Sequence, residues 1–250
     1  MDAPITSTGN PTVKRLVRLA KRSERRASGR FLVEGSRAVD GFLAAGWAPQ
    51  GLYLRDDLAA PPAWHERPIQ LMAAHVIDRI SSHHSASGYI AEFAIPEPAA
   101  LDPAAGGVVC AELADPGNVG TLLRSAAAFG LSQVYLLGGV DPFAPKVVQS
   151  SAGALASLRL AWGPDIAPVL AGAPLVALVA SEGLGPESLP AGPTWLVVGS
   201  EAHGITPDLQ ARCDLRLTLP MPGGTESLNA GVAGSIGCFL AAGLHRAAAS

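Results

Sequence analysis

Apolar residues recur along the chain in two patterns, separated by turns. Val13, Leu16, Val17 and Ala20 follow one another at helical spacing, behind Asn10 and Pro11, which read as an N-cap and a first-turn proline. Lys14, Arg15, Arg18, Lys21, Arg22 and Arg25 fill the remaining surface, so a basic amphipathic helix is expected, ending near Ser28 and Gly29. Short apolar runs then predict strands over 31–33, 51–54, 69–72 and 89–95, with helices over 36–45 and 75–80. These elements make a small α/β domain over 1–96, followed by a Pro- and Ala-rich linker over 97–106. A second alternation fills 107–250. Strands are predicted over 108–113, 133–137, 175–180, 194–198 and 215–219, and helices over 119–129, 146–155, 207–212 and 228–248. Apolar strands alternating with helices imply a mostly parallel sheet with helices on both faces. In such sheets ligands bind beyond the C-terminal strand ends.

Composition narrows this picture. Hydrophobic residues make up 48% of the chain but aromatics only 5%, so Ala, Val, Leu and Gly must fill the core. No apolar run reaches the roughly 18 residues of a membrane span without Gly or polar breaks. Polar residues and Pro4 stand where a secretory signal would need an apolar stretch. Cys110, Cys213 and Cys238 are odd in number and widely spaced, which suits reduced thiols of a cytoplasmic protein better than disulfides or a zinc site. His83 and His84 lie in a Ser-rich stretch without acidic or Cys neighbours and read as loop residues, so no metal is expected. The net charge of −3 is unevenly distributed. Residues 1–37 hold nine of the eighteen Lys and Arg and only three acids, giving +6 there and −9 elsewhere. A basic end on an acidic body suggests a polyanionic partner, although a solvated helix face explains the charge alone. Fingerprints for dinucleotides, nucleoside triphosphates, zinc hydrolysis and the nucleophile elbow are all missing.

Three segments carry candidate chemistry. The first, Asp115-Pro116-Gly117-Asn118-Val119-Gly120, turns a strand into a helix that Asn118 is placed to cap, with Arg124 six residues on in an otherwise small, apolar helix. An isolated arginine there needs an anion, a partner or solvent. The second, Val197-Val198-Gly199-Ser200-Glu201-Ala202-His203-Gly204-Ile205, ends a buried strand at a glycine and presents a carboxylate two residues later. The third, Leu219-Pro220-Met221-Pro222-Gly223-Gly224-Thr225-Glu226-Ser227-Leu228-Asn229, leads from another strand end into a long helix rich in Gly, Ala and Ser, with Ser227 as its expected N-cap. Each segment alone also reads as an ordinary turn or cap.

Their order and spacing together resemble the three motifs of the SpoU (TrmH-like) RNA 2′-O-ribose methyltransferases of the SPOUT superfamily. The resemblance extends to Gly138–Ala154 and, through Phe31-Leu32-Val33-Glu34-Gly35 and Arg37, to the entry of an L30e-like substrate-binding domain. It implies a C-terminal sheet tied in a trefoil knot and S-adenosylmethionine as cofactor. Gly199, Leu219 and Leu228 would line the cofactor pocket, with Ser200, Glu201, Ile205, Met221 and Ser227 beside them. Arg124 would clamp a phosphate and stabilise the developing alkoxide, since a guanidinium holds its proton too firmly to act as a base. Asn118, Glu201, Ser227 and Asn229 would organise the site. Lys14, Arg15, Arg18, Arg22, Arg37 and Arg124 would contact RNA, and the chain would act as a homodimer. The implied activity is methyl transfer to a ribose 2′-hydroxyl, with 23S ribosomal RNA favoured as the target. Transfer RNA is the alternative target, and a catalytically silent RNA-binding protein is the alternative role. Gln149 stands where relatives often carry Arg, and Ala86-Ser87-Gly88 where they carry a Pro-Gln-Gly-like turn.

Overall fold

The computed structural model describes residues 3–82 and 86–243. His83 and His84, and the final residues of the helix expected over 228–248, lie outside that set. The chain divides into two compact units. The first comprises Met1–Glu97 with Phe143–Ala156, and the second Pro98–Pro142 with Ser157–Ser250.

The first unit opens with α1 (Pro11–Arg18), capped by the Asn10 side chain, which accepts from the Thr12 amide at 2.8 Å. The single helix expected to reach Gly29 is two. The chain breaks after Leu19 and restarts as α2 (Arg22–Ser28), which ends at Gly29 in the left-handed conformation. The break is held by Arg25, which is buried and donates to the Leu19 and Ala20 carbonyls at 2.8 and 2.9 Å. Those carbonyls would otherwise be orphans at a helix end. There follow β1 (Arg30–Glu34), α3 (Ser36–Ala44), β2 (Pro49–Arg55), β3 (Ile69–Met72), α4 (Ala74–Ile80) and β4 (Tyr89–Ala94). The sheet order is β1-β4-β2-β3, with β1–β4 and β4–β2 antiparallel and β2–β3 parallel. One face packs Val13, Leu16, Ile77 and Ile90 under α1 and α4. The other carries rings of Phe31, Phe42, Trp47 and Phe93.

The remaining element of this unit comes from far along the sequence. α6 (Pro145–Ser151) lies against β1. Phe143 sets its ring 4.8 Å from that of Phe31, and the Trp47 indole donates to the Ala156 carbonyl at 3.0 Å. The division expected at one linker is therefore incomplete, because this aromatic cluster recruits Phe143–Ala156.

The second unit is a six-stranded parallel sheet among the described residues, in the order β10-β8-β9-β5-β6-β7. Its strands are β5 (Gly107–Ala111), β6 (Gln133–Leu137), β7 (Arg159–Gly163), β8 (Leu175–Val179), β9 (Trp195–Val198) and β10 (Leu215–Thr218). β7 has no counterpart in the sequence reading. β5 and β9 are buried throughout, as strands covered on both faces must be. The expected linker is tied to this unit. The buried Gln133 side chain accepts from the Asp102 amide at 2.7 Å and donates to the Asp102 and Gly106 carbonyls. The helices are α5 (Pro116–Ala128), α7 (Pro207–Gln210) and α8 (Ala230–Ala241). The small residues of α8 face inward. A Cβ at Gly231 would meet Asn118 Oδ1 at 2.9 Å, one at Gly234 the Leu122 Cδ2 at 2.2 Å, and one at Gly237 the Leu196 Cδ2 at 2.7 Å. Close packing on α5 and β9 thus accounts for them. The opposite side of α8 exposes Val232, Ile236 and Phe239.

Candidate active site

A cavity of about 500 Å³ opens where β8, β9 and β10 end and α8 begins. Leu178, Val179 and Ala180 line it from the end of β8, Val198 and Gly199 from β9, and Leu219 and Met221 from the segment after β10. Ser227, Leu228, Asn229, Ala230 and Ala233 close the side toward α8. This is the strand-end position where parallel sheets bind ligands. Among the described residues its lining contains no Lys or Arg, and the charged side chain there is Glu201.

The loop after β9 gives the cavity its shape. Ser200 and Gly204 exchange backbone hydrogen bonds at 3.0 and 2.9 Å, closing a tight hairpin. Gly204 makes the return at φ +66°, and the chain then passes directly over Gly199. A Cβ on Gly199 would lie 2.3 Å from the Gly204 carbonyl carbon and 2.4 Å from the Ile205 nitrogen. The hairpin projects Glu201 toward the start of α5. The Glu201 carboxylate accepts from Asn118 Nδ2 at 2.7 Å and from the amides of Ala114 and Asp115 at 3.2 and 3.3 Å. Partial burial presses its pKa upward, but the hydrogen bonds from Asn118 and the backbone outweigh that and hold it below the usual carboxylate range. Glu201 is therefore an ionised clamp that fixes Asn118 and the first turn of α5, where the helix dipole also favours negative charge.

Two caps differ from expectation. Asp115, not Asn118, caps α5, accepting from the Asn118 amide at 2.8 Å. That places Asn118 within the first turn, with its side chain free to reach Glu201. Asn229, not Ser227, caps α8, accepting from the Val232 amide at 3.2 Å. Ser227 is released from capping and lines the cavity, with a hydroxyl that has no partner among the described residues.

The structure thus brings Gly199, Ser200, Glu201, Leu219, Met221, Ser227, Leu228 and Asn229 to one cavity, and Asn118 joins them through Glu201. Ile205 does not line it; its side chain is buried in the core beside Val197 and Leu209. Arg124 is exposed on α5, outside the lining, and makes no hydrogen bond or ion pair among the described residues. Lys14, Arg18, Arg22 and Arg37 are exposed in the first unit, whereas Arg15 is tied to Glu92. The end of β8 at 178–180 was not anticipated, since its place beside β9 depends on the strand order. Among the described residues no group of three or more His, Cys, Asp or Glu is placed to hold a metal ion, and no helix is long and apolar enough to cross a membrane.

The family model of the SpoU rRNA methylases matches residues 107–239, which include every cavity-lining residue. The chain belongs to the SpoU rRNA methylase family. A second family model, the MRM3-like substrate-binding domain, matches residues 10–91 of this SpoU protein. An uncharacterized tRNA/rRNA methyltransferase of Synechocystis is 31% identical, with 92% of this chain and 90% of the relative covered. The 23S rRNA (guanosine(2553)-2′-O)-methyltransferase RlmP of Bacillus subtilis is 28% identical, over 93% and 96%. Among solved structures, the SpoU methyltransferase AviRb of Streptomyces viridochromogenes in complex with AdoMet superposes with a TM-score of 0.84 at 25% identity, covering 95% of this chain and 98% of that one.

Proposed function

We propose that this SpoU protein transfers a methyl group from S-adenosylmethionine to a ribose 2′-hydroxyl of RNA, with 23S ribosomal RNA as the target. The observation that carries this reading is the cavity without Lys or Arg at the ends of β8, β9 and β10. A phosphorylated cofactor would call for basic side chains there. A sulfonium nucleoside, which carries positive charge and an apolar ring face, suits apolar walls with one ionised carboxylate nearby. When bound, it supplies an electrophilic methyl group. The names of relatives that act on 23S rRNA favour that target over transfer RNA. The expected trefoil knot belongs to the same reading, supported by the placement of β8 between β10 and β9.

Asn118 and the start of α5 are fixed by Glu201, which acts as a positioning residue. The Ser227 hydroxyl and the cavity face of Asn229 orient the ligand. Arg124 clamps the phosphate beside the reacting ribose and stabilises negative charge developing on the 2′-oxygen. Because Arg124 lies outside the lining of its own cavity, it is assigned to the cavity of a second copy. Val232, Ile236 and Phe239, three and four residues apart on α8, form the apolar stripe that joins the two copies. Replacing Ile236 with Arg is expected to convert a dimer into a monomer and to remove methyl transfer. Analytical ultracentrifugation checks the first effect, and a mass unchanged by the substitution rejects the stripe as the interface.

The reading as a whole is tested by tritiated-methyl transfer from S-adenosylmethionine onto unmodified ribosomal and transfer RNA, followed by nuclease mapping. Label on a ribose of 23S rRNA is expected. Label on a base, or on protein, defeats the assignment, and ribose label on transfer RNA alone replaces the target.

A further inference from the structure

Glu92 stands on β4, which is paired on both sides in the first unit's sheet, and its side chain is fully buried. A buried carboxylate is costly unless it is paired and hydrogen-bonded. Arg15 on α1 and Arg30 on β1 both donate to the same oxygen, Oε1, Arg30 at 3.2 Å. The Tyr53 hydroxyl donates to Oε2 at 3.0 Å and accepts from Arg15 Nη2 at 3.1 Å. Burial presses the Glu92 carboxyl upward, but the hydrogen bonds and charge of Arg15, with Tyr53 and Arg30, hold it below the usual carboxylate range. Burial and the neighbouring carboxylate push the Tyr53 hydroxyl up to about 12.

The sheet is shaped around this cluster. Gly51 is the cross-strand partner of Glu92, at a bulge in β2. A Cβ at Gly51 would lie 2.5 Å from the Tyr53 hydroxyl oxygen, so the glycine leaves room for that hydroxyl to reach Glu92. Yet the cluster is not sealed. The side chains of Arg15 and Arg30 are 42% and 38% exposed. A guanidinium carries five N–H donors. Arg15 uses two here and Arg30 one, and the others have no protein partner among the described residues. Lys14, Arg18 and Arg22 on the same basic segment are exposed with nothing to fix them.

We propose that Arg15 and Arg30, held on one oxygen of the buried Glu92 carboxylate, form a preorganised grip for the phosphate backbone of the RNA substrate, with Glu92 as its positioning residue. The inference rests on the RNA reading above and adds Arg30, Glu92 and Tyr53 to it. Two planar forks on one carboxylate leave a net positive charge whose donors are already ordered, so binding a phosphate costs little side-chain entropy. A flexible surface Lys offers charge without that order.

The test measures binding of the full-length protein to an unmodified 23S rRNA transcript by filter retention across a KCl series. Replacing Arg30 with Gln is expected to weaken binding roughly tenfold and to flatten the plot of log affinity against log salt by about 0.7–0.9. Glu92→Gln discriminates further. It removes one buried negative charge and so raises the net charge of the cluster by one. Diffuse attraction alone then predicts tighter binding, whereas a grip that has lost its anchor binds more weakly. An unchanged salt slope in a folded Arg30→Gln protein, or tighter binding by Glu92→Gln, overturns the proposal. Should Glu92→Gln fail to fold, the half-exposed Arg30 variant decides alone. If the wild-type protein methylates RNA while the slope stays unchanged, only the grip falls. If it neither binds nor methylates RNA, the RNA reading falls with it.

Discussion

Replacing Arg124 with Ala is expected to lower the rate of methyl transfer by roughly a hundred- to a thousandfold, the range for removing one group that stabilises charge in a transition state. The fold should be untouched. Arg124 is exposed and makes no hydrogen bond or ion pair among the described residues, and surface substitutions away from special features change stability within about 0.5 kcal/mol. Cofactor binding should persist as well, because Arg124 lies outside the lining of its own cavity and, at the partner's, is assigned to the RNA phosphate. The checking measurements are single-turnover transfer to RNA and a calorimetric titration with S-adenosylmethionine. Lost cofactor binding in a folded variant would make Arg124 a cofactor ligand instead. Arg124→Lys should restore only part of the rate, since an ammonium lacks the planar fork that meets a phosphate at two oxygens.

Gly199→Ala should damage the step that Arg124→Ala spares. The added methyl would collide with the Gly204 carbonyl and the Ile205 nitrogen, which are backbone atoms and cannot rotate aside. The hairpin from Ser200 to Gly204 must open, and it carries Ser200, Glu201 and Gly204 of the cavity wall. Overpacking of this kind costs about 1–3 kcal/mol, so cofactor affinity should fall roughly tenfold to a hundredfold. Gly204→Ala is the informative comparison. Its Cβ meets nothing within 4 Å, and only the positive φ opposes it, at roughly 1 kcal/mol. Equal losses from the two substitutions would show that the crowding over Gly199 does not shape the site.

Much of this arrangement was legible in the residues. Parallel strands buried on both faces appear as unbroken apolar runs, which marks β5, β6, β8 and β9, while the edge strand β10 shows as the alternation Leu215-Arg216-Leu217-Thr218. With them come the strand ends where Gly199, Glu201 and Leu219 sit. β7 escaped because Leu160, Ala161 and Trp162 are a short run beside Arg159 and Gly163. The caps were misplaced by a few residues. Asp115 before Pro116 has the same form as Asn10 before Pro11, and was the available signal. The break after α1 was not readable, since nothing in Ala20-Lys21-Arg22 shows that Arg25 will turn back to cap Leu19 and Ala20. Ile205 was assigned to the cavity from its neighbours alone, and only the packing around Val197 and Leu209 shows where its side chain goes. Glu92 did leave a trace, as a lone acid inside the apolar run of β4, but its partners come from α1, β1 and β2.

The placement of Phe143–Ala156 bears on how the chain is made. A ribosome releases residues in order, and the first unit borrows its last element from a point about 50 residues beyond its own sheet. When Glu97 emerges, Phe31, Phe42, Trp47 and Phe93 have been synthesised but the ring of Phe143 has not. The amino-terminal unit therefore waits for part of the methyltransferase half before its core is complete. Cutting the chain at 97–106 would yield two fragments, neither of them a whole domain.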